Sequence, residues 1–167
     1  MELEEGIGKL LDGDAIMFAG AGCSAGATNL RDKPLFQGSD LAKYFAEKTG
    51  LTDGELSLED ATEAFLEKYG ESALIREIKN EFTTKVLADY HIQLGSFPWK
   101  RIYTTNYDDV LEEAYKENPK LLIPITASDD PFKTPRGQTP CIHLNGFVHK
   151  LDTGNIGTGL NLPKQAI

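Results

Sequence analysis

The chain has 167 residues, with 26 acidic side chains against 17 Lys and Arg, a formal net charge of −9. Hydrophobic residues make up 40% and charged residues 26%, enough apolar material for one sizeable core, which argues against a wholly disordered chain. The acidity argues against a nucleic-acid backbone or an anionic membrane as this domain's main partner, because both reward clustered Lys and Arg. No apolar run approaches a bilayer span. The acidic start Met1-Glu2-Leu3-Glu4-Glu5 lacks the basic region of a secretory signal. Cys23 and Cys141 are too few for a disulfide scaffold or a four-cysteine zinc site, so a cytoplasmic chain with free thiols is expected.

Ile7, Leu10 and Leu11 predict a short helix over 4–11. Ala15 to Ala19 is a continuous apolar run that runs straight into glycines, the pattern of a buried parallel strand. Residues 20–27 form a small-residue loop. Leu41, Tyr44 and Phe45 predict a helix over 40–48. Ser57 and Asp60 make a capping box for a helix that Gly70 stops. Ile75, Ile78 and Phe82 predict another helix from Glu71 to about Lys85. No strand signal is found through this middle stretch, which reads as a helical insertion over about 40–95. Strands are then expected at Arg101–Thr105, at Leu121–Ile125 (an edge, given Pro124) and at Cys141–Leu144. A helix is expected over 109–116, a proline-rich loop over 129–140, and no regular element beyond Lys150. Strands separated by helices give an α/β fold with a mainly parallel sheet.

Three segments carry chemistry. The first is Gly20-Ala21-Gly22-Cys23-Ser24 with Gly26 behind it. Glycines after a strand let backbone amides approach a phosphate closely. The spacing is one residue longer than the usual dinucleotide fingerprint, and no acid-ended strand follows about twenty residues on. A tight turn that merely lets a helix pack remains the other reading. The second is Thr104-Thr105-Asn106-Tyr107-Asp108, at a strand's carboxyl end, where open α/β sheets bind ligands. Asn106 can hold a sugar hydroxyl or a water, and Asp108 a ribose hydroxyl. Taken alone, this segment favours helix capping by both residues. The third is Cys141-Ile142-His143-Leu144-Asn145-Gly146, where His143 is either a site residue or a packed strand residue. His91 and His149 carry no motif.

In this order the three segments resemble the sirtuin-like NAD-binding family. Phe97-Pro98-Trp99 followed by Ile102 to Glu112 is similar to its branch found in bacterial antiphage defence proteins. The resemblance runs from about Asp14 to Leu151. It implies a Rossmann-like sheet with an inserted helical layer, truncated at the C-terminus, in part of a longer protein. Protein-deacylating members carry a four-cysteine zinc module and usually a glutamine where this chain has Thr105. The family's histidine directly precedes glycine, whereas here Asn145 does, with His143 two positions earlier. A two-residue period would put both side chains on one strand face.

These departures shift the expected activity from deacylation to hydrolysis of NAD+ into nicotinamide and ADP-ribose, depleting NAD+ in abortive infection. The resemblance implies catalytic roles for Asn106 and His143. It implies dinucleotide binding by Gly20, Ala21, Gly22, Ser24, Thr105, Asn106, Tyr107, Asp108 and Asn145. No metal is expected. A homo-oligomer and a helicase-like ATPase or other defence subunit are the implied partners. Two other classes stay open: an NAD-dependent deacylase or ADP-ribosyl transferase, and a non-catalytic nucleotide sensor.

Overall fold

The structure, a computed structural model, describes residues 2–51, 57–127, 129–130 and 137–153. Four parallel strands form the sheet: β1 (Ile16–Ala19), β4 (Arg101–Thr104), β5 (Leu122–Ile125) and β6 (Thr139–His143), in the order β1-β4-β6-β5. The α/β class, the Rossmann-like parallel sheet and the edge position of the proline-bearing β5 are as the sequence predicts. Helix α1 (Leu3–Leu11) precedes the sheet. Helices α2 (Gly38–Thr49), α3 (Leu58–Tyr69), α4 (Glu71–Phe82) and α5 (Asp89–Ser96) fill the connection from β1 to β4, and α6 (Val110–Ala114) follows β4. Ser57 caps α3, its hydroxyl accepting from the Asp60 amide at 3.1 Å. Among the described residues no helix is long and apolar enough to cross a membrane.

Several boundaries differ from the expectation, each for a physical reason. The helix expected to reach Lys85 ends at Phe82. Thr84–Val86 instead forms β3, paired antiparallel with β2 (Thr28–Asn29). These strands are two and three residues long, too short for an alternating pattern to register. β6 begins at Thr139, two residues before the expected start, and takes Pro140 in its second position. The pairing of β6 with β4 begins only at Cys141, so Pro140 is paired with β5 alone. β1 is parallel, as expected, but it is an edge strand, and Ile16 and Phe18 are 59% and 71% exposed. Only Ala19 of its residues is buried. An unbroken apolar run cannot tell a strand covered on both faces from one covered on one. The part of the C-terminal expectation that concerns residues 154–167 lies outside the described residues.

Two apolar clusters hold the fold. Phe45, Leu41, Leu74, Ile78 and Phe65 pack the helices together and reach Tyr107, Phe147 and Val148. Ile102, Cys141, Leu111, Tyr115 and Ala19 fasten the sheet to α6. Each fully buried Leu, Ile or Phe contributes about 1.5–3 kcal/mol. Tyr107 therefore joins the site segment directly to the helical cluster.

The contact between α5 and α6 depends on Gly95. A Cβ there would lie 2.1 Å from the Ala114 carbonyl oxygen, so one backbone would have to move. Gly95→Ala is expected to destabilise the protein by at least about 3 kcal/mol, the upper range for overpacking. Chemical denaturation checks this, and a midpoint equal to that of the wild type would refute it.

Candidate functional site

Parallel register brings the three sequence segments together. Ala19 pairs with Thr104, and Thr104 pairs with His143. The strands β1, β4 and β6 therefore end at one level, and their following loops share the carboxyl edge of the sheet. The Thr105 amide donates to the Ala19 carbonyl at 3.1 Å, and the Leu144 amide to the Thr104 carbonyl at 2.9 Å. A cavity of about 400 Å³ opens at this edge. Ala21, Ser24, Thr105, Asn106, Asp108 and Asn145 supply one part of its wall. Phe36, Phe82, Leu35 and Tyr107 supply an apolar part. Among the described residues no Lys or Arg lines it, and Asp108 is its one acid.

Asn106 is oriented by the loop that faces it. Its Nδ2 donates to the Gly20 carbonyl at 3.0 Å and to Ser24 Oγ at 2.8 Å. A carbonyl can only accept, so the amide orientation is forced. Oδ1 then has no hydrogen-bond partner among the described residues. Ser24 passes the chain of bonds on, donating from Oγ to Asp108 Oδ2 at 2.7 Å. Asn145 repeats the pattern. Its Nδ2 donates to the Thr105 carbonyl at 3.0 Å, which leaves its own Oδ1 unbonded among the described residues. The two amides and the carboxylate thus make a set of acceptors, suited to hydroxyl groups and to positive charge.

Asp108 is buried, and burial pushes its pKa up to about 6. The donors Ser24 Oγ and the Val110 amide pull it down, and Asp109 and Glu112 push it up further. Of the two expected capping residues, Asp108 alone bonds to α6, since the Asn106 side chain turns to the glycine loop. Asp108 Oδ1 accepts from the Val110 amide at 3.2 Å at the start of α6, while the residue also lines the cavity. Tyr107 meets Phe82 edge-on, with ring centroids 5.8 Å apart, and burial raises its hydroxyl pKa to about 12.

The glycine loop is a short 3-10 turn, Ala21–Ser24. The amides of Cys23, Ala25 and Ala27 bond inward, to the carbonyls of Gly20, Gly22 and Ser24, so fewer amides are free for an anion than the sequence suggests. Gly20 and Gly22 do not line the cavity, although the Gly20 carbonyl holds Asn106. Gly26, at φ +80°, takes the left-handed conformation that lets the chain leave the turn.

His91, for which the sequence offers no signal, anchors this loop. Its Nδ1 accepts from the Ala88 amide at 2.9 Å, so the proton sits on Nε2, which donates to the Cys23 carbonyl at 2.8 Å. Tyr90 adds a hydroxyl bond to the Ala25 carbonyl. The side chain of His91 is fully buried. Replacing it with Ala leaves a cavity and an unpaired Ala88 amide, expected to cost about 3 kcal/mol. Urea denaturation of His91→Ala measures that loss, and a loss under about 1 kcal/mol would contradict the anchoring role.

His143 does not line the cavity. The two-residue period that would align it with Asn145 holds only while the chain is extended. β6 ends at His143, and Leu144 and Asn145 form a turn that carries Asn145 alone to the cavity wall. The His143 side chain is wholly buried. Its Nδ1 lies 3.0 Å from the Asn106 carbonyl and its Nε2 2.9 Å from Glu112 Oε1. Glu112 is another residue that sequence reasoning passes over, because nothing in α6 marks it apart from other surface acids. Glu112, Cys141 and His143 bring one donor atom each within 4.8 Å of one another. The His143–Glu112 hydrogen bond accounts for that closeness.

Residues 100–158 match the model of the SIR2-like domain family. The expectation of a sirtuin-like domain is borne out over this stretch, which holds β4, α6, β5 and β6, and with them Asn106, Asp108 and Asn145. The glycine loop lies outside the matched residues. A SIR2-like domain suggests NAD-related activity in general, and such domains use NAD+. No curated protein matches the chain.

Proposed function

We propose that this SIR2-like chain hydrolyses NAD+ at the nicotinamide–ribose bond. The carrying observation is the acceptor set. The NH2 group of Asn106 donates to the Gly20 carbonyl and to Ser24 Oγ, and that of Asn145 to the Thr105 carbonyl, which leaves two carbonyl oxygens beside a single carboxylate and an aromatic wall. Ribose hydroxyls need acceptors, and a positively charged ring favours a carboxylate and aromatic faces. Water forms a bond to the anomeric carbon as the carbon–nitrogen bond breaks. The electron pair leaves with nicotinamide, now neutral, so no acid is needed to protonate it. Asn106 Oδ1 orients the ribose or the water. Asp108 stabilises the positive charge that develops on the sugar and is positioned to take up the water's proton. The pyrophosphate falls to the Ala21–Gly26 backbone, since no cationic side chain lines the described cavity.

On the resemblance to bacterial defence proteins, we also propose that the chain acts in antiphage defence, depleting NAD+ as an oligomer or together with a helicase-like ATPase. Incubating the full-length protein with NAD+, with and without its genomic neighbours, tests it. Release of nicotinamide with free ADP-ribose supports hydrolysis. A peptide-dependent product would point to transfer instead, and binding without cleavage to a sensor.

A further inference from the structure

We propose that His143 and Glu112 form a positioning pair for Asn106, with His143 acting through the Asn106 backbone rather than on substrate. The inference rests on the reading of Asn106 as a residue that touches substrate. The Asn106 peptide is held from both ends. Its N–H donates to Thr104 Oγ1 at 3.0 Å, and its carbonyl accepts from His143 Nδ1 at 3.0 Å. The carbonyl can only accept, so Nδ1 must carry the proton. Thr104 and His143 are register partners in β4 and β6, so the clamp is built into the rigid centre of the sheet. Glu112 Oε1, at 2.9 Å from Nε2, fixes the ring's orientation from α6, and the Phe147 ring packs against it with centroids 4.4 Å apart. No atom of the His143 side chain is exposed, so it has no route to a substrate in the cavity.

Among the described residues, three titratable groups face the imidazole: Glu112 from α6, Asp108 from the loop before α6, and Cys141 from β6, with Sγ 3.6 Å from Nε2. Burial lowers the imidazole pKa. The Glu112 hydrogen bond and charge, the Asn106 carbonyl and Asp108 outweigh that and raise it overall. The doubly protonated ring therefore persists above the usual histidine pKa of about 6.5. Glu112 Oε2 is buried with no partner among the described residues, so the carboxylate is committed to the histidine through Oε1.

Two substitutions separate the ring's two bonds. Asn places an amide nitrogen near the Nδ1 position, so His143→Asn keeps the donor to Asn106 and gives up the Glu112 contact. Gln reaches the Nε2 position, so His143→Gln keeps Glu112 and gives up the donor to Asn106. In NAD+ turnover by the full chain, His143→Gln is expected to lose about 100-fold in kcat with KM within about twofold, the size of effect that misplacing a reacting group produces. His143→Asn should stay within about fivefold of wild type and keep the same pH profile. Equal inactivity of the two folded variants would indicate a direct chemical role for His143 and overturn the inference, as would equal, near-wild-type activity.

NMR of wild-type protein labelled with nitrogen-15 in histidine and carbon-13 in asparagine provides a readout independent of turnover and of whether the variants fold. A solvent-protected Nδ1–H coupled to the Asn106 carbonyl carbon is expected, and its absence would overturn the inference. If that signal is present while NAD+ is never cleaved, the pair is supported and the hydrolase reading fails.

Discussion

Asn106→Ala is expected to lose at least about 100-fold in nicotinamide release, close to complete inactivation. The substitution removes Oδ1, the acceptor that the Gly20 and Ser24 contacts leave over for a ligand. The stability cost should be small, about 1 kcal/mol, because Ser24 keeps its bond to Asp108 and the Gly20 carbonyl keeps its bond from the Cys23 amide. A large loss of turnover with little change in melting temperature therefore distinguishes a chemical role from a structural one. Unchanged turnover would remove Asn106 from the mechanism, and with it the positioning role given to His143.

Asp108→Asn should make the protein more stable at pH 8 and nearly inactive. The carboxyl is buried, and its pKa is raised to about 6 from the ordinary aspartate value of 3.8, mainly by that burial. The folded state thus binds this proton more tightly than the unfolded state. The group's contribution to stability is complete below about pH 4 and is lost as pH rises through about 6. By linkage that loss amounts to about 3 kcal/mol. Asparagine keeps the shape and removes the buried charge. Its Oδ1 can still accept from the Val110 amide, while Ser24 must turn its hydroxyl, which accepts from Nδ2 in place of donating. The melting temperature of Asp108→Asn should therefore exceed that of the wild type at pH 8 and approach it near pH 4. For the wild type, turnover should rise with pH through about 6 as Asp108 ionises. A wild-type rate that is flat from pH 5 to 8 would sink the assignment of Asp108.

The paired gain and loss has a structural origin. A charge kept in a poorly solvated wall stabilises a positive transition state strongly because little water screens it. The same desolvation makes it a burden on the resting fold. His91 and Gly95 show the opposite case, residues whose replacement is expected to lower stability without touching the reacting groups.

Much of the molecule is legible in the sequence. Hydrophobic period places α1 to α4 and α6 within a few residues. The run from Ile102 to Glu112 marks the candidate site segment through its resemblance to the sirtuin-like family, whereas the residues read alone favour helix capping by Asn106 and Asp108. Period could not reveal β2 and β3, which are held by pairing between residues 28–29 and 84–86 rather than by any local pattern. Nor could it show that β1 is exposed on one face, since exposure depends on which elements cover the sheet.

The histidines mark the boundary most sharply. From sequence, His143 is a candidate base, His91 is unassigned, and Asn145 is a dinucleotide-binding candidate that the resemblance supplies. The role of each depends on contacts dozens of residues away: Glu112 and Asn106 for His143, Cys23 for His91, Thr105 for Asn145. Length, charge, fold class and the identity of the site segment are local or additive properties, and one-dimensional patterns carry them. Which nitrogen bears a proton, which amide oxygen is left for a ligand, and which side chain reaches the cavity are fixed by parallel register and by a turn of two residues. Those are properties of the packed sheet, and only the tertiary structure decides them.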